Sequence, residues 1–66
     1  MRVDRIKLIT LMAKKDISIL KLSELSGVSR VTVNAVKSGK SCALTTAQKL
    51  ADGLGVDVTE IMETEG

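Results

Sequence analysis

The stretch SILKLSELSGVSRVTVNAVK, residues 18–37, decides the fold of this chain. Ser18 and Ser29 each precede apolar residues at helical spacing, and serine is among the favoured residues at a helix N-cap. Gly27 lies between the two segments, at a position where glycine commonly ends a helix. The β-branched residues of the second segment would by themselves also allow a strand, but the cap and the glycine favour a helix. The two predicted helices cover residues 19–26 and 30–37.

Two short helices joined by so short a turn must cross each other, which is the helix-turn-helix arrangement. The crossing needs a small residue in the first helix, a turn residue that tolerates a positive φ angle, and an apolar anchor in the second helix. Ser23, Gly27 and Val33 supply them in that order. A short helix with an open polar face can then enter the major groove of DNA, which is about 12 Å wide. The residues predicted on that face are Arg30, Val31, Asn34 and Ala35.

Apolar residues also recur at helical spacing on both sides of this pair. They predict one helix over residues 3–15 and another over residues 44–54. Asp57 and Glu60 have the spacing of a capping box, which predicts a short fifth helix over residues 58–63. The predicted fold class is therefore all-α, a five-helix bundle that contains a helix-turn-helix.

The composition excludes several classes of function. A chain of 66 residues has room for one domain, residues 1–66, with a small core. With a single cysteine, Cys42, and no histidine, it cannot form an intramolecular disulfide or a usual zinc site, so we expect neither a metal nor a cofactor. Phe, Trp and Tyr are absent, which disfavours binding of single-stranded nucleic acid by stacking. Neither a membrane span nor a signal peptide is indicated, so we expect a cytoplasmic protein.

The charges are divided unevenly along the chain. Residues 1–49 carry all ten lysines and arginines together with three acids, whereas residues 50–66 carry five acids and no base. The formal net charge of +2 therefore hides a basic first part and an acidic end. This division suggests that the first part faces a polyanion such as double-stranded DNA, although a solvated surface with chance clustering would give the same pattern.

Several motifs in this order resemble the Cro/C1-type helix-turn-helix family, which includes the lambdoid phage repressors. They are LSELSGVSR at 22–30, TV at 32–33, SGK at 38–40, KLA at 49–51 and LGV at 54–56. The resemblance spans about residues 5–62. It implies a lambda repressor-like bundle of five helices whose third helix contacts DNA, usually as a homodimer on a palindromic operator.

Taken position by position, the resemblance implies which residues contact DNA. Arg30 paired with guanine, Asn34 paired with adenine and Val31 packed on a thymine methyl would fit the chemistry of the major groove. Contact of Arg30 with phosphate alone is the alternative, because at least half of protein–DNA hydrogen bonds go to the backbone. The full set of predicted DNA contacts is Ser18, Ser29, Arg30, Val31, Thr32, Asn34, Lys37, Lys40 and Ser41.

Two departures from the family pattern affect these contacts. Ile19 stands where many members have a glutamine that contacts phosphate or base, so Ser18 or the backbone N–H groups at that helix start are the expected substitute. Met12 and Lys37 stand where the family commonly has an arginine and a glutamate in a salt bridge. We expect Met12 to pack against Val36 and the stem of Lys37, whose ammonium would then reach a DNA phosphate or point into solvent.

The apolar residues of the C-terminal part exceed what a four-helix core requires, which predicts a homodimer formed through this part. The predicted interface residues are Val56, Val58, Ile61 and Met62. Ile6, Ile9 and Leu20 are also apolar beyond the needs of a minimal core. They either cover the edges of the helix packing or form a second interaction surface.

The predicted function is that of a small transcriptional regulator, a repressor that binds a palindromic operator as a homodimer and needs no small-molecule ligand. An antitoxin-like module that binds a partner protein and regulates its own synthesis is the alternative, although residues 63–66 are a short tail for that role. An enzyme is disfavoured, because histidine is absent and no candidate base lies beside Cys42. Cys42 is a small filler residue or, as the alternative, a redox sensor.

Overall fold

A computed structural model describes residues 2–63, and within them the chain is all-α, as predicted. The α-helices of this part are α1 (Arg5–Lys14), α2 (Ile19–Ser26), α3 (Arg30–Lys37) and α4 (Leu44–Leu54). A 3-10 turn, Val58–Glu60, follows α4. Residues 1 and 64–66 of the predicted domain lie outside the described residues.

The two short helices begin and end at the residues that the sequence pattern indicates. Ser18 accepts a hydrogen bond from the backbone N–H of Lys21 at 3.1 Å, and Ser29 accepts one from the N–H of Thr32 at 3.3 Å. Each serine thereby satisfies one of the backbone donors that a helix start leaves open. Gly27 ends α2 with a φ angle of 73°, in the left-handed region that glycine adopts without strain.

The first helix begins at Arg5, later than the predicted start at residue 3. The reason is Asp4, whose carboxylate accepts hydrogen bonds from the backbone N–H groups of Ile6 at 2.9 Å and Lys7 at 3.3 Å. A residue in this position is an N-cap with extended backbone angles, so the helix cannot continue back through it.

The core lies between the α2–α3 pair and the two helices that flank it. Its largest fully buried side chains are Leu8, Leu22, Val33, Val36, Leu50 and Ile61. The most extensive helix packing is that of α4 against α2, and α1 packs against α3. No polar or charged side chain is buried in the part of the chain that the structure describes. Apolar burial from all four helices therefore holds α2 and α3 in a fixed relation.

The predicted fifth helix over residues 58–63 is wrong, because only Val58–Glu60 is helical and it forms a 3-10 turn. Asp57 precedes this turn, but its side chain does not cap the backbone as the capping box required. Its carboxylate instead accepts a hydrogen bond from the Thr59 hydroxyl at 2.6 Å. That bond holds the pKa of Asp57 below its ordinary value, because it stabilises the charged form.

After the 3-10 turn the chain runs alongside the N-terminal segment. Val3 and Met62 form an isolated antiparallel bridge, and the backbone N–H of Asp4 donates to the carbonyl of Ile61 at 2.7 Å. The backbone N–H of Glu63 donates to the carbonyl of Arg2 at 2.9 Å, so it cannot donate to the carbonyl of Thr59 as it would in a helix. Pairing with a distant segment thus replaces the last turn of the expected helix.

The same pairing buries residues that were expected at a dimer interface. Ile61 is fully buried and Met62 is 4% exposed, while Val56 and Val58 are half-buried and pack against the core. The predicted interface role of Ile61 and Met62 is therefore wrong, because the chain itself covers both side chains, while that of Val56 and Val58 stays a prediction.

Candidate nucleic-acid interface

The turn between α2 and α3 is held by hydrogen bonds as well as by packing. The Ser23 hydroxyl donates to the carbonyl of Val28 at 2.6 Å, and the N–H of Gly27 donates to the carbonyl of Ser23 at 2.9 Å. Val33, the predicted anchor of α3, is fully buried. The roles predicted for Gly27 and Val33 are confirmed, and the need for a small residue at Ser23 stays a prediction. The hydrogen bond of the Ser23 hydroxyl was not predicted, because the role expected of this residue rested on its small size.

α3 presents its predicted face to solvent. Arg30, Val31 and Asn34 are exposed, and Ala35 is half-buried beside them. Two open grooves, of about 370 Å³ and about 360 Å³, flank this face, and Val31 and Asn34 line both of them. The side chains predicted to contact bases therefore lie together on one accessible surface. The base that each one contacts stays a prediction.

Three of the predicted DNA contacts are hydroxyls at the starts of α2 and α3. Ser18 is exposed, and while its oxygen accepts the capping bond its own proton can still be donated to a phosphate. Ser29 is also exposed, but its hydroxyl donates to the hydroxyl oxygen of the half-buried Thr32 at 3.0 Å. A contact of the Ser29 hydroxyl proton with DNA therefore requires this bond to be exchanged, whereas the Thr32 hydroxyl accepts the bond and keeps its own proton for a phosphate.

The loop after α3 carries two predicted phosphate contacts, Lys40 and Ser41, and both are exposed. The backbone N–H of Lys40 donates to the carbonyl of Ala35 at 3.0 Å, and that of Gly39 donates to the carbonyl of Val36 at 3.0 Å. These bonds hold the loop against the end of α3. Lys40 consequently lines one of the two grooves that flank the exposed face.

Lys37, the remaining predicted contact, is half-buried in the last turn of α3. Met12 and Val36 are both buried in the core, and α1 packs against α3. These degrees of burial agree with an arrangement in which Met12 covers the stem of Lys37. Contact of Lys37 with phosphate stays a prediction.

Two arginines near the N-terminus adjoin the same loop, and the sequence analysis did not single them out. The Arg2 guanidinium donates a hydrogen bond to the carbonyl of Gly39, and a Cβ atom on Gly39 would lie 3.6 Å from Cδ of Arg5. Both arginines are exposed, and Arg2 also lies 3.8 Å from a carboxylate oxygen of Glu63. They add positive charge next to Lys40. The excess of bases in the first part of the chain was the only sequence signal for them.

Cys42 is half-buried, and burial raises the pKa of its thiol, which lowers the fraction of reactive thiolate and favours the filler role. Over residues 2–63, no three His, Cys, Asp or Glu side chains are grouped as a metal ion would require. None of the helices in this range has both the length and the apolarity needed to cross a membrane.

The chain matches a family model described as Cro/C1-type HTH DNA-binding domain over residues 7–66. Neither a curated protein nor a solved structure matches it. The matched range contains α2, α3, the loop after α3 and α4, and so contains every predicted DNA contact.

Proposed function

Because this chain belongs to the Cro/C1-type helix-turn-helix DNA-binding domain family, we propose that it is a transcriptional repressor that binds a palindromic operator as a homodimer. The observation that carries the proposal is the exposed face of α3, where Arg30, Val31 and Asn34 lie together beside Lys40. The partner is double-stranded DNA, which also argues for action in the cytoplasm. Selection of bound duplexes from a random pool tests this proposal, and we expect one palindromic sequence to be enriched.

A comparison of Arg30→Ala with Lys37→Ala and Lys40→Ala should distinguish residues that contact bases from residues that contact phosphates. Loss of a base contact lowers discrimination between operator and scrambled duplex by about 1–3 kcal/mol. Loss of a phosphate contact weakens both duplexes equally and lowers the slope of log affinity against log salt by about 0.9. Binding isotherms at several salt concentrations measure both quantities. Equal losses on both duplexes for Arg30→Ala would show that Arg30 contacts phosphate only.

The proposed homodimer needs a surface other than the buried C-terminal residues. Ile6 and Ile9 of α1 are 60% and 36% exposed, and Ile6 lines an open groove of about 320 Å³ between α1 and the 3-10 turn. We propose this surface as the dimer contact, with Thr59 and Glu60 of the 3-10 turn at its edge. On an operator the two α3 helices would then lie about 34 Å apart, one turn of DNA. An antitoxin-like partner would compete for the same apolar surface.

Sedimentation at tens of micromolar protein should therefore show a dimer for the wild type and a monomer for Ile6→Asp. A carboxylate in the first turn of α1 favours the helix dipole, so this substitution should leave the fold intact while placing a charge in the contact. Leu44→Asp is the matched control, because Leu44 is 51% exposed and also lies in the first turn of a helix, α4, but is outside this groove. A wild-type protein that stays monomeric with and without its operator would contradict the dimer.

A further inference from the structure

The start of α2 carries two large aliphatic residues, Ile19 and Leu20, directly beside the exposed face of α3. Leu20 is 52% exposed and Val31 is 81% exposed. Together with Arg30 and Asn34 they line one open groove of about 370 Å³, which we call the apolar notch. Ile19 also packs against the core, so the notch is a fixed feature of the fold.

The surroundings of the apolar notch restrict what can fill it. Two of its lining residues, Arg30 and Asn34, belong to the face of α3 that is proposed to enter the major groove. The exposed Lys21 follows Leu20 in the chain, so cationic groups border the apolar surface and favour a polyanion over an apolar protein surface. The base edges in the major groove are polar except for one apolar group, the C5 methyl of thymine.

We propose that the apolar notch binds the C5 methyl group of a thymine in each half-site, with Leu20 of α2 and Val31 of α3 as its two walls. The inference rests on the proposed function and deepens it, because α2 then takes part in base selection in addition to holding α3. Contact of a methyl group with both side chains removes apolar surface of protein and DNA from water. Leu20 is thus a specificity-determining residue.

Replacement of thymine by deoxyuridine tests this inference, because it removes the methyl group and leaves the pairing and polar edge of the base unchanged. The probe is the duplex selected from the random pool, with each thymine replaced singly. We expect wild-type affinity to fall about fourfold at one thymine position per half-site, the value for one buried methyl group. Other thymine positions should show no change.

The same duplexes are then bound by Leu20→Ala, Val31→Ala and Leu25→Ala. Leu20→Ala should lose the difference between thymine and deoxyuridine at the sensitive position, and Val31→Ala should reduce it. Leu25→Ala, a substitution on the same helix at a residue of similar exposure, should keep the full difference. Circular dichroism melting of each variant checks that the fold is retained.

The possible outcomes test the inference and the proposed function independently of each other. Wild-type protein that binds its operator equally well with deoxyuridine at every position overturns the inference and leaves the proposed function standing. A methyl effect that persists in Leu20→Ala overturns the role of Leu20. Failure to enrich any duplex from the pool overturns the proposed function itself.

Discussion

Replacement of Ile61 by alanine is expected to lower the free energy of unfolding by about 2–5 kcal/mol, the range for truncation of a fully buried aliphatic side chain. Ile61 has no exposed surface, and its carbonyl accepts the hydrogen bond from the Asp4 N–H that joins the two ends of the described chain. A domain of this size has a total stability of only about 3–10 kcal/mol. The variant should therefore lose a large share of the stability of the domain, and its midpoint of urea denaturation should fall accordingly.

Urea denaturation followed by circular dichroism measures this loss, and Ile61→Val should retain most of the stability with a loss of about 0.5–1.5 kcal/mol. The dependence on protein concentration distinguishes a core residue from a dimer contact. A core residue gives the same loss at every concentration, whereas a dimer contact gives a loss that disappears once the wild type is dilute enough to dissociate. Loss of that second kind would restore the interface role first expected for Ile61.

Local signals explain why the central part of the fold could be predicted from the sequence. The caps Ser18 and Ser29 and the left-handed Gly27 act on backbone groups within a few residues, so the sequence pattern contains all the information needed to place α2 and α3. The start of α1 was missed for a related reason. Asp4 is a strong local cap, but the predicted start at residue 3 rested on the helical spacing of apolar residues alone.

The structure of the C-terminal part depends instead on contacts between segments that are distant in the sequence. The pairing of Val3 with Met62 joins residues from opposite ends of the chain, and helical periodicity holds no information about such a pair. The apolar residues after Asp57 do serve burial, but they reach the core from a 3-10 turn and the residues that follow it. An excess of apolar residues predicts burial without indicating which surface covers it.

The candidate site likewise has residues that could be predicted from the sequence and residues that could not. The exposed face of α3 follows from helical geometry once Val33 is known to point inward, so Arg30 and Asn34 could be predicted as its polar residues. The position of Arg2 beside Gly39 could not, because it depends on how α1 packs across the end of α3. The apolar notch likewise depends on the crossing of two helices.

Gly53, a residue for which the sequence suggested no role, lies where α4 crosses the end of α2. A Cβ atom on Gly53 would lie 2.9 Å from Cβ of Ser26, 3.0 Å from its backbone nitrogen and 3.1 Å from its Cα. Two of these three atoms belong to the backbone, so no rotamer change of Ser26 can relieve the clash. The helices would have to separate at the most extensive helix contact of the structure.

Gly53→Ala is therefore expected to lower the free energy of unfolding by about 2 kcal/mol. Overpacking of a close contact costs about 1–3 kcal/mol, and separation of the helices also exposes part of the apolar surface between α2 and α4. Alanine has a higher helix propensity than glycine by about 1 kcal/mol, which offsets part of the cost. Urea denaturation of the variant and the wild type measures the difference.

Asp52→Ala is the matched control for Gly53→Ala. Asp52 is the neighbouring residue of α4 and is exposed, so alanine there brings a gain in helix propensity with no clash. It also removes a negative charge near the helix C-terminus, where the dipole disfavours it. The control should be as stable as the wild type or more stable. If Gly53→Ala behaves like this control, the close approach of α4 to Ser26 is not required for the fold, and burial of the apolar residues of α2 and α4 is enough to hold the two helices together.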